Sequence, residues 1–538
     1  MTSKYIFDFF VYLTKVLSLR VHRYIFLFGV CSLAFGMMMG TVPTSVPQFI
    51  LLGNFLLEGR FRQKWKQVRS NSLFWIMSAA FLVHVLGLFY TTDMGAGWDD
   101  VRTKMPIMFL PLILMCAELL TAKELRLVLY CFILGCVVNT AWCLVYSFVL
   151  HSTNEVRNAS RFMSHIRLGL FLNMGISVLV YLSTQSKTIL EKMFHFALAL
   201  YLLVTMYMMG LASGLVNFFV VVLLFVAWLL MRRGRGFRLV ALSLTAVFFV
   251  FVFLYVRSMA QSQLVVKNDV NNVTAKISPG NNLYIHFDPK GQKENGYYVH
   301  MNIQLEELKR AWQRDFPADS FNYDQSHNLG RYAVLVRYMA SRGLKKDSVA
   351  YLQLSTEDKK NVQAGIPNHL YNSWNFMHKR VYELVHEYDE FKRGSNVNGN
   401  SITMRFYFWK AALHLIAQSP LLGVGTGDVQ KEMNRAYVET QSPLEPEWHK
   451  RPHNQLITVT VALGVTGLLV FLCSLMYPAI LLRKSLHCLY WPFFTLLFFS
   501  FLSEDTLETQ AGLTFFAFFN SLFVSQAYHL RNSKTPEG

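Results

Sequence analysis

The 538-residue chain is poor in charge. Only 16% of its residues are Asp, Glu, Lys or Arg, against about a quarter in ordinary soluble domains. Apolar residues make up 53% and aromatic residues 15%, which argues against a cytosolic enzyme. Apolar runs of about twenty residues, the length that a helix needs to cross a bilayer, recur through most of the chain. The composition therefore predicts a polytopic membrane protein.

The chain also lacks cysteines where they would carry chemistry. All seven lie inside apolar stretches, and the long polar segment between Arg257 and His453 contains none. Disulfide frameworks and zinc sites need cysteines clustered at short spacings in polar loops, so both are excluded. No small-residue cleavage site follows the first apolar run, and this run is therefore expected to be retained.

Hydropathy predicts about twelve membrane spans, at about 1.5 Å per residue across a core of about 30 Å. Their approximate ranges are 24–41, 43–57, 72–90, 104–120, 126–150, 167–184, 193–210, 212–231, 237–256, 454–482, 488–503 and 509–528. The expected fold class is an all-α polytopic membrane protein. It has an N-terminal membrane domain of about nine spans (1–256), a large loop domain (257–453), and a C-terminal membrane domain of about three spans (454–538).

Loop charges predict the orientation, because Lys and Arg are retained on the cytoplasmic side of a membrane. With the N-terminus inside, the cytoplasmic segments hold 21 basic and 5 acidic residues, which accounts for most of the net charge of +18. The short outer loops are acidic or mixed, as at Asp99-Asp100 and Glu504-Asp505. The basic charge is thus a topology signal rather than a nucleic-acid footprint. Both termini are expected inside and the loop 257–453 outside.

The loop 257–453 is predicted to fold as a small, mainly helical domain. Apolar residues recur at helical spacing, and one segment resembles a helix-capping box. The predicted helices cover 305–312, 328–344 and 374–391, with the capping box at Ser355-Thr356-Glu357-Asp358. Short strands are predicted at 283–287 and 297–303 from their alternating pattern.

The residues that carry chemistry lie in the last part of this loop, 403–453. A helix from about 403 to 418 places Arg405, Trp409 and Leu413 on one face, because residues four apart stack. A proline and three glycines then end the helix and allow a tight turn; they are Pro420, Gly423, Gly425 and Gly427.

A second element of the pattern comes directly before the next apolar span. His453-Asn454 opens a span that contains Gly464 and Gly467. An arginine and a histidine are thus both expected at the outer membrane face. Cations at a membrane edge are costly unless they are paired or solvated, which favours an anionic partner.

Together these residues resemble the signature of the O-antigen ligase and polymerase superfamily, of the membrane glycan ligase type. The matching pieces are Arg405-x-x-x-Trp409, Pro420-x-x-Gly423-x-Gly425, and His453-Asn454 followed by Gly464-x-x-Gly467. The resemblance implies a glycosyltransferase of the bacterial inner membrane that takes a glycan from an undecaprenyl-diphosphate carrier at the periplasmic face. The acceptor is lipid A–core in a ligase, another carrier-linked repeat in a polymerase, and a protein hydroxyl in a protein O-oligosaccharyltransferase.

One departure concerns a second cation. Many members of the superfamily have Ser-Arg at the outer start of the eighth span, whereas this chain has Ser213-Gly214. The preceding outer loop offers Arg161, His165 and Arg167. At least one of these arginines is predicted to supply the absent charge, and Arg167 is favoured because it lies closest to the membrane edge. An arginine introduced at Gly214 is expected to restore part of a lost activity.

The expected chemistry is an inverting displacement that needs no metal ion or cofactor. A sugar on a lipid diphosphate is already activated, so transfer needs a base for the acceptor hydroxyl and positive charge where the diphosphate leaves. His453 is the candidate base. Arg405 is the candidate cation, because a guanidinium stays charged and presents two donors to phosphate oxygens. Lys450, Arg451 and Trp409 are further candidates for substrate binding.

Simpler interpretations stay open for these residues: a helix cap for His453-Asn454, interface anchors for Arg405 and Trp409, and headgroup contacts for Arg161 and Arg167. The alternative from another functional class is a lipid-linked glycan flippase or another transporter. Transporters typically show internal repeats and charges or broken helices in mid-membrane. Here the polar chemistry is concentrated at one face and in one loop, which favours the enzyme.

Overall fold

The computed structural model describes residues 18–147, 160, 162–231, 235–267, 278, 283–284, 291–318, 321, 330–394 and 397–533. Helices predominate in this part of the chain, and its one sheet has two strands of two residues each. Eight of the described helices are long and apolar enough to cross a membrane. The protein is therefore an all-α polytopic membrane protein, as predicted, while the count of twelve spans stays a prediction.

A helix overlaps each of the twelve predicted spans. The helices up to residue 264 are α1 (Leu19–Gly36), α2 (Thr41–Leu57), α3 (Phe61–Arg69), α4 (Ser72–Gly87), α5 (Met94–Lys104), α6 (Pro106–Cys116), α7 (Ala122–Val145), α8 (His165–Gln185), α9 (Ile189–Met208), α10 (Ala212–Met231) and α11 (Arg235–Leu264).

Contacts divide the chain into two compact units, one formed by Met1–Val226 with Arg405–Gly538 and the other by Ala227–Met404. The second unit contains α11, β1 (Lys293–Glu294), β2 (Tyr297–Tyr298), α12 (Leu305–Asp315), α13 (Arg331–Ser341), α14 (Ser348–Tyr351), α15 (Thr356–Gln363) and α16 (Phe376–Lys392). Its core is built around the buried side chains of Trp312, Leu335 and Tyr351.

The helices predicted for this unit are confirmed, and so is the capping box, in which Ser355 and Asp358 each bond the other's backbone N–H. The predicted strand 297–303 was too long, because the ladder ends at Tyr298 and only Ile303 forms a further bridge, to Lys346. Most of the predicted strand 283–287 lies outside the described residues.

The remaining helices belong to the part of the chain that carries the candidate site. They are α17 (Thr403–Gln418), α18 (Val429–Glu439), α19 (Gln455–Leu481), α20 (Tyr490–Ser503) and α21 (Gln510–Asn532). The predicted helix 403–418 is confirmed. α21 is buried on all sides from Gly512 to Ser525, as expected for a helix at the centre of a bundle. Its Phe515 stacks on Phe171 of α8, with ring centroids 4.6 Å apart.

α19 is broken at Gly464, where φ is 65°. In an intact helix, the N–H groups of Val465 and Thr466 would bond the carbonyls of Val461 and Ala462. The break releases all four groups. Buried in a membrane protein, each would be costly without another partner.

The loop 420–425 supplies those partners. Each released group of α19 bonds a complementary backbone group of this loop, so the loop and the helix break exchange four hydrogen bonds. The bonds run from Val424 N to Val461 O and from Gly425 N to Ala462 O, both 2.9 Å, from Val465 N to Pro420 O, 2.8 Å, and from Thr466 N to Leu421 O, 3.4 Å. The Pro-x-x-Gly-x-Gly motif is therefore a backbone clamp, which joins the end of α17 to the middle of α19.

We predict that Gly464→Ala destabilises the protein strongly. A Cβ at this position would lie 2.2 Å from the carbonyl carbon and oxygen of Leu421, and the left-handed φ alone costs about 1–3 kcal/mol for other residues. Gly53→Ala is the matched control, since nothing lies within 4 Å of its Cβ position in α2. Thermal unfolding in detergent should show a large fall for the first variant and little change for the second. Equal melting temperatures would contradict the clamp.

Candidate active site

α17 holds the segment that carries His453. The indole Nε1 of Trp409 donates a hydrogen bond of 3.0 Å to the carbonyl of Pro452. One position earlier, the ring of Phe408 lies against the His453 ring, with centroids 5.6 Å apart. The Arg-x-x-x-Trp motif thus fixes the backbone next to the histidine. The Trp409 side chain therefore positions the backbone at Pro452, next to His453.

His453 has a left-handed backbone conformation, with a φ of 50°. Asp505 stabilises it, because this carboxylate accepts hydrogen bonds from the backbone N–H groups of His453, 2.9 Å, and Asn454, 3.1 Å. It also accepts one from the Thr458 hydroxyl. The Asn454 side chain then caps α19 by accepting from two backbone N–H groups of its first turn. The cap interpretation of Asn454 is thereby confirmed.

Glu504 brings the two predicted catalytic residues together. One of its carboxylate oxygens lies 3.0 Å from Nη2 of Arg405, and the other lies 3.3 Å from Nδ1 of His453. The Glu504 side chain is 12% exposed, whereas that of Arg405 is 26% exposed and that of His453 is 36% exposed. The carboxylate is thus covered, while the cation and the imidazole remain accessible. With Nδ1 bonded to a carboxylate, Nε2 of the imidazole is the nitrogen left to take a proton.

Arg167 lies near the same acidic residues. At the N-terminal end of α8 it is close enough to Glu504 and Asp505 to interact with both electrostatically. Its Nη1 donates to the Ser164 hydroxyl at 3.2 Å, and its buried Nε has no hydrogen-bond partner in the described part of the chain. A second guanidinium therefore borders the Glu504 region. Arg161, the other predicted source of this charge, lies outside the described residues.

A buried ion-pair network lies beside this group. Lys104, whose side chain is 2% exposed, pairs with Asp100 at 2.7 Å and with Glu508 at 2.9 Å. Arg451 pairs with Glu508 at 2.6 Å. Burial alone would raise the pKa of Glu508, but the two cations outweigh burial and hold this pKa well below its usual range. The network anchors the segment before His453 through Arg451.

The remaining predicted residues occupy different surroundings. Arg451 is engaged by Glu508, Lys450 is exposed, and His165 lies exposed at the start of α8. A substrate role for each of them stays a prediction. Asp99 and Asp100 lie in different surroundings, since Asp99 pairs with Arg102 at the surface while Asp100 is largely covered and pairs with the buried Lys104. The described residues contain no group of three or more His, Cys, Asp or Glu side chains that could hold a metal ion.

The absent arginine at Gly214 has a structural reason. Gly214 of α10 packs against Gly169 of α8, and a Cβ on Gly214 would lie 2.8 Å from Met206 Sδ and 2.9 Å from Gly169 Cα. The Asn173 amide further bonds the Gly214 carbonyl at 2.8 Å. An arginine introduced at Gly214 is therefore incompatible with this packing, and the expectation that it restores activity is withdrawn.

Sequence reasoning missed the acidic half of the site. From the sequence, Glu504 and Asp505 are interpreted only as outer-loop charges that set topology, and Glu508 has no assigned role. They lie about fifty or more residues from their partners in the chain, so no local spacing connects them. The sequence signal that could have identified them is their density. Three carboxylates within five residues, between two apolar spans, need nearby cations and therefore indicate partners elsewhere in the chain.

Comparison with protein families matches residues 361–472 to the family described as O-antigen ligase. The matched segment includes Arg405, Trp409, the loop 420–425, His453 and the break at Gly464. The resemblance that these motifs predicted is thereby confirmed. A search of curated proteins found no match.

We predict that Asp505→Asn destabilises the His453 segment. Burial raises the pKa of Asp505, while the hydrogen bond from Thr458 opposes this shift. The amide keeps the size of the carboxylate but turns an NH₂ group toward donors, which costs about 1–3 kcal/mol per unsatisfied buried group. The matched control is Asp99→Asn, an exposed carboxylate, for which little change is expected. Chemical or thermal unfolding measures both variants, and equal stability would show that Asp505 is not a structural acceptor.

Proposed function

We propose, from the O-antigen ligase domain that this chain carries at residues 361–472, that the protein transfers a glycan from an undecaprenyl-diphosphate carrier to a hydroxyl of lipid A–core. The family match supports an O-antigen ligase or polymerase type of membrane enzyme. The observation that carries the finer proposal is the bridge formed by Glu504. It holds an imidazole and a guanidinium on the two oxygens of one carboxylate.

His453 is the proposed general base. Its Nδ1–H donates to Glu504, so Nε2 faces the acceptor and takes the proton of the attacking hydroxyl. The hydroxyl oxygen forms a bond to the anomeric carbon while the bond from that carbon to the carrier phosphate breaks. The electron pair of the broken bond leaves on the diphosphate, and attack from the opposite side inverts the anomeric centre. The imidazolium that forms is stabilised by the carboxylate of Glu504.

Arg405 and Arg167 are the proposed diphosphate ligands. The leaving group carries about two negative charges, and one arginine at a low-dielectric edge would leave much of that charge uncompensated. Arg405 uses one nitrogen on Glu504 and keeps its remaining N–H donors for phosphate oxygens. Arg167 adds a second guanidinium whose Nε is unpartnered among the described residues. With arginines in this role, transfer is expected to persist in the presence of a metal chelator.

The proposed setting is the bacterial inner membrane with about twelve spans. Lys and Arg are concentrated in the segments assigned to the cytoplasm, so both termini lie inside and the loop 257–453 is periplasmic. Carrier-linked donor, acceptor and membrane lipids are then the partners of the protein. The catalytic segment 403–453 would meet the donor at the periplasmic face.

A deletion strain distinguishes the members of the superfamily. A ligase predicts lipid A–core without long-chain glycan, together with full-length polymer on the carrier. A single repeat left on the core would instead identify a polymerase. Unchanged lipopolysaccharide with unglycosylated proteins would identify a protein O-oligosaccharyltransferase. Unmodified core with carrier-linked glycan trapped on the cytoplasmic face would support the flippase alternative.

We expect His453→Ala to lower transfer by about 10²–10⁴-fold, the usual contribution of a general base. Binding of the carrier-linked donor should change little, because the arginines remain. His414→Ala is the matched control, since this exposed histidine pairs with Glu439 at the surface of α17. Both variants are assayed as purified protein in lipid vesicles. Near-normal turnover of the His453 variant would show that His453 is not the general base.

We expect Arg405→Lys to remain impaired in glycan transfer, because lysine keeps the charge but loses the planar pair of donors.

Arg167→Ala should reduce both transfer and donor affinity by a margin comparable to Arg405→Ala. Arg435→Ala provides the control, since its side chain is 52% exposed and pairs with neighbours on its own helix. If the Arg167 variant transfers glycan normally, the second cation must come from another residue. Lys450 and Arg451 are then the next candidates.

A further inference from the structure

A polar cavity lies away from His453. Its volume is about 370 Å³, within the range of small-ligand pockets. Six of its polar lining residues carry the argument: His22, Arg23, Asn54, Arg60, Lys64 and His529. All of them belong to the unit that contains the candidate active site.

The cavity is at the opposite end of the helices that build the active site. α21 begins at Gln510, two residues after Glu508, and reaches the cavity at His529. At 1.5 Å per residue this separation is about 28 Å, close to the thickness of a bilayer core. The cavity therefore lies near the other membrane face.

The shortness of α6 creates part of the space. This helix has 11 residues, from Pro106 to Cys116, and spans only about 16 Å. The chain then continues without helical structure past Glu118 and Leu119, whose carbonyls accept hydrogen bonds from Arg23. Non-helical backbone at membrane depth is tolerated where it lines a polar cavity.

One of the lining residues, His22, has a buried imidazole with an unused nitrogen. His22 is 4% exposed, and its Nδ1 bonds the Asn54 carbonyl oxygen at 2.8 Å. The Asn54 amide donates to the His22 carbonyl, which fixes the side-chain amide orientation, so Nδ1 carries the hydrogen. Nε2 is then an acceptor, and it has no partner in the described part of the chain. A ligand hydroxyl is the group that would satisfy it.

The cations of the cavity differ in how they are paired. Arg23 pairs with Glu124 at 2.6 Å, and Lys64 pairs with Glu58 at 2.9 Å. Arg60 forms no ion pair within the described residues. Its guanidinium is exposed and available to a phosphate.

The neighbouring helix favours a lipid as the source of that phosphate. α3 is short and basic, and its Phe61 and Trp65, four residues apart, are 55% and 57% exposed. Amphipathic helices with exposed aromatic residues and a basic face lie in the headgroup region of a membrane. Lys64 of this helix also lines the cavity.

We propose that this cavity binds the headgroup of an anionic phospholipid with free hydroxyl groups, such as phosphatidylglycerol. Arg60 binds the phosphate, and Nε2 of His22 accepts a hydrogen bond from a headgroup hydroxyl. The site does not depend on the function proposed for His453 and Arg405. It lies on the membrane face opposite to them.

The test measures lipid binding to the purified full-length protein by native mass spectrometry and by thermal shift. Phosphatidylglycerol is compared with phosphatidylmethanol, a singly charged phosphodiester that lacks the hydroxyls, and with zwitterionic phosphatidylethanolamine. The expected order of affinity is phosphatidylglycerol, phosphatidylmethanol, phosphatidylethanolamine. Arg60→Gln should weaken phosphatidylglycerol binding about tenfold or more, as loss of a charged hydrogen bond implies.

Arg62→Gln is the matched control, because Arg62 is an exposed neighbour that does not line the cavity. It should bind phosphatidylglycerol like the unaltered protein. His22→Phe should abolish the preference for phosphatidylglycerol over phosphatidylmethanol. Equal binding of all three lipids, or equal effects of the Arg60 and Arg62 changes, would overturn the proposal. A full shift with soluble glycerol 3-phosphate alone would overturn the lipid as the ligand.

Discussion

The exchange of backbone hydrogen bonds at the break in α19 is the interaction on which the candidate catalytic segment depends. A helix interrupted inside a membrane leaves donors and acceptors that water cannot reach. The loop 420–425 provides complementary groups in the right order, and Gly423 and Gly464 allow the two backbones to approach without side chains between them. α17 and α19 are thereby tied together at a fixed separation. Arg405 lies on the first helix and His453 immediately before the second.

Two carboxylates, together with the backbone clamp, fix the positions of His453 and Arg405. Asp505 holds the backbone around His453, and Glu504 holds its ring together with the Arg405 guanidinium. Both acidic residues stand in one short connection between α20 and α21. The buried network of Glu508 and Lys104 anchors the same connection. Three separate parts of the chain therefore converge on five consecutive residues, 504–508.

Local patterns predicted the elements but not their convergence. Helix 403–418 could be read from spacing and from the proline after it, because both signals lie within one segment. The role of Trp409 could not be read in the same way, since a tryptophan near a membrane suits the lipid interface equally well. Only the structure shows its indole bonded to the carbonyl of Pro452. Likewise, the sequence alone does not explain why residue 214 is a glycine. In the structure, Gly214 packs directly against Gly169.

The pairing of Arg405 with Glu504 also bears on which anions the site retains. A membrane surface presents phosphate monoanions at high local concentration, and an unpaired guanidinium would bind them. Here any phosphate shares the guanidinium with a carboxylate that is already in place and largely covered. A singly charged headgroup gains little from such a shared contact, whereas a diphosphate brings more charge and can engage a second guanidinium at once. Under the proposed function, this pairing would therefore favour multiply charged ligands over singly charged ones.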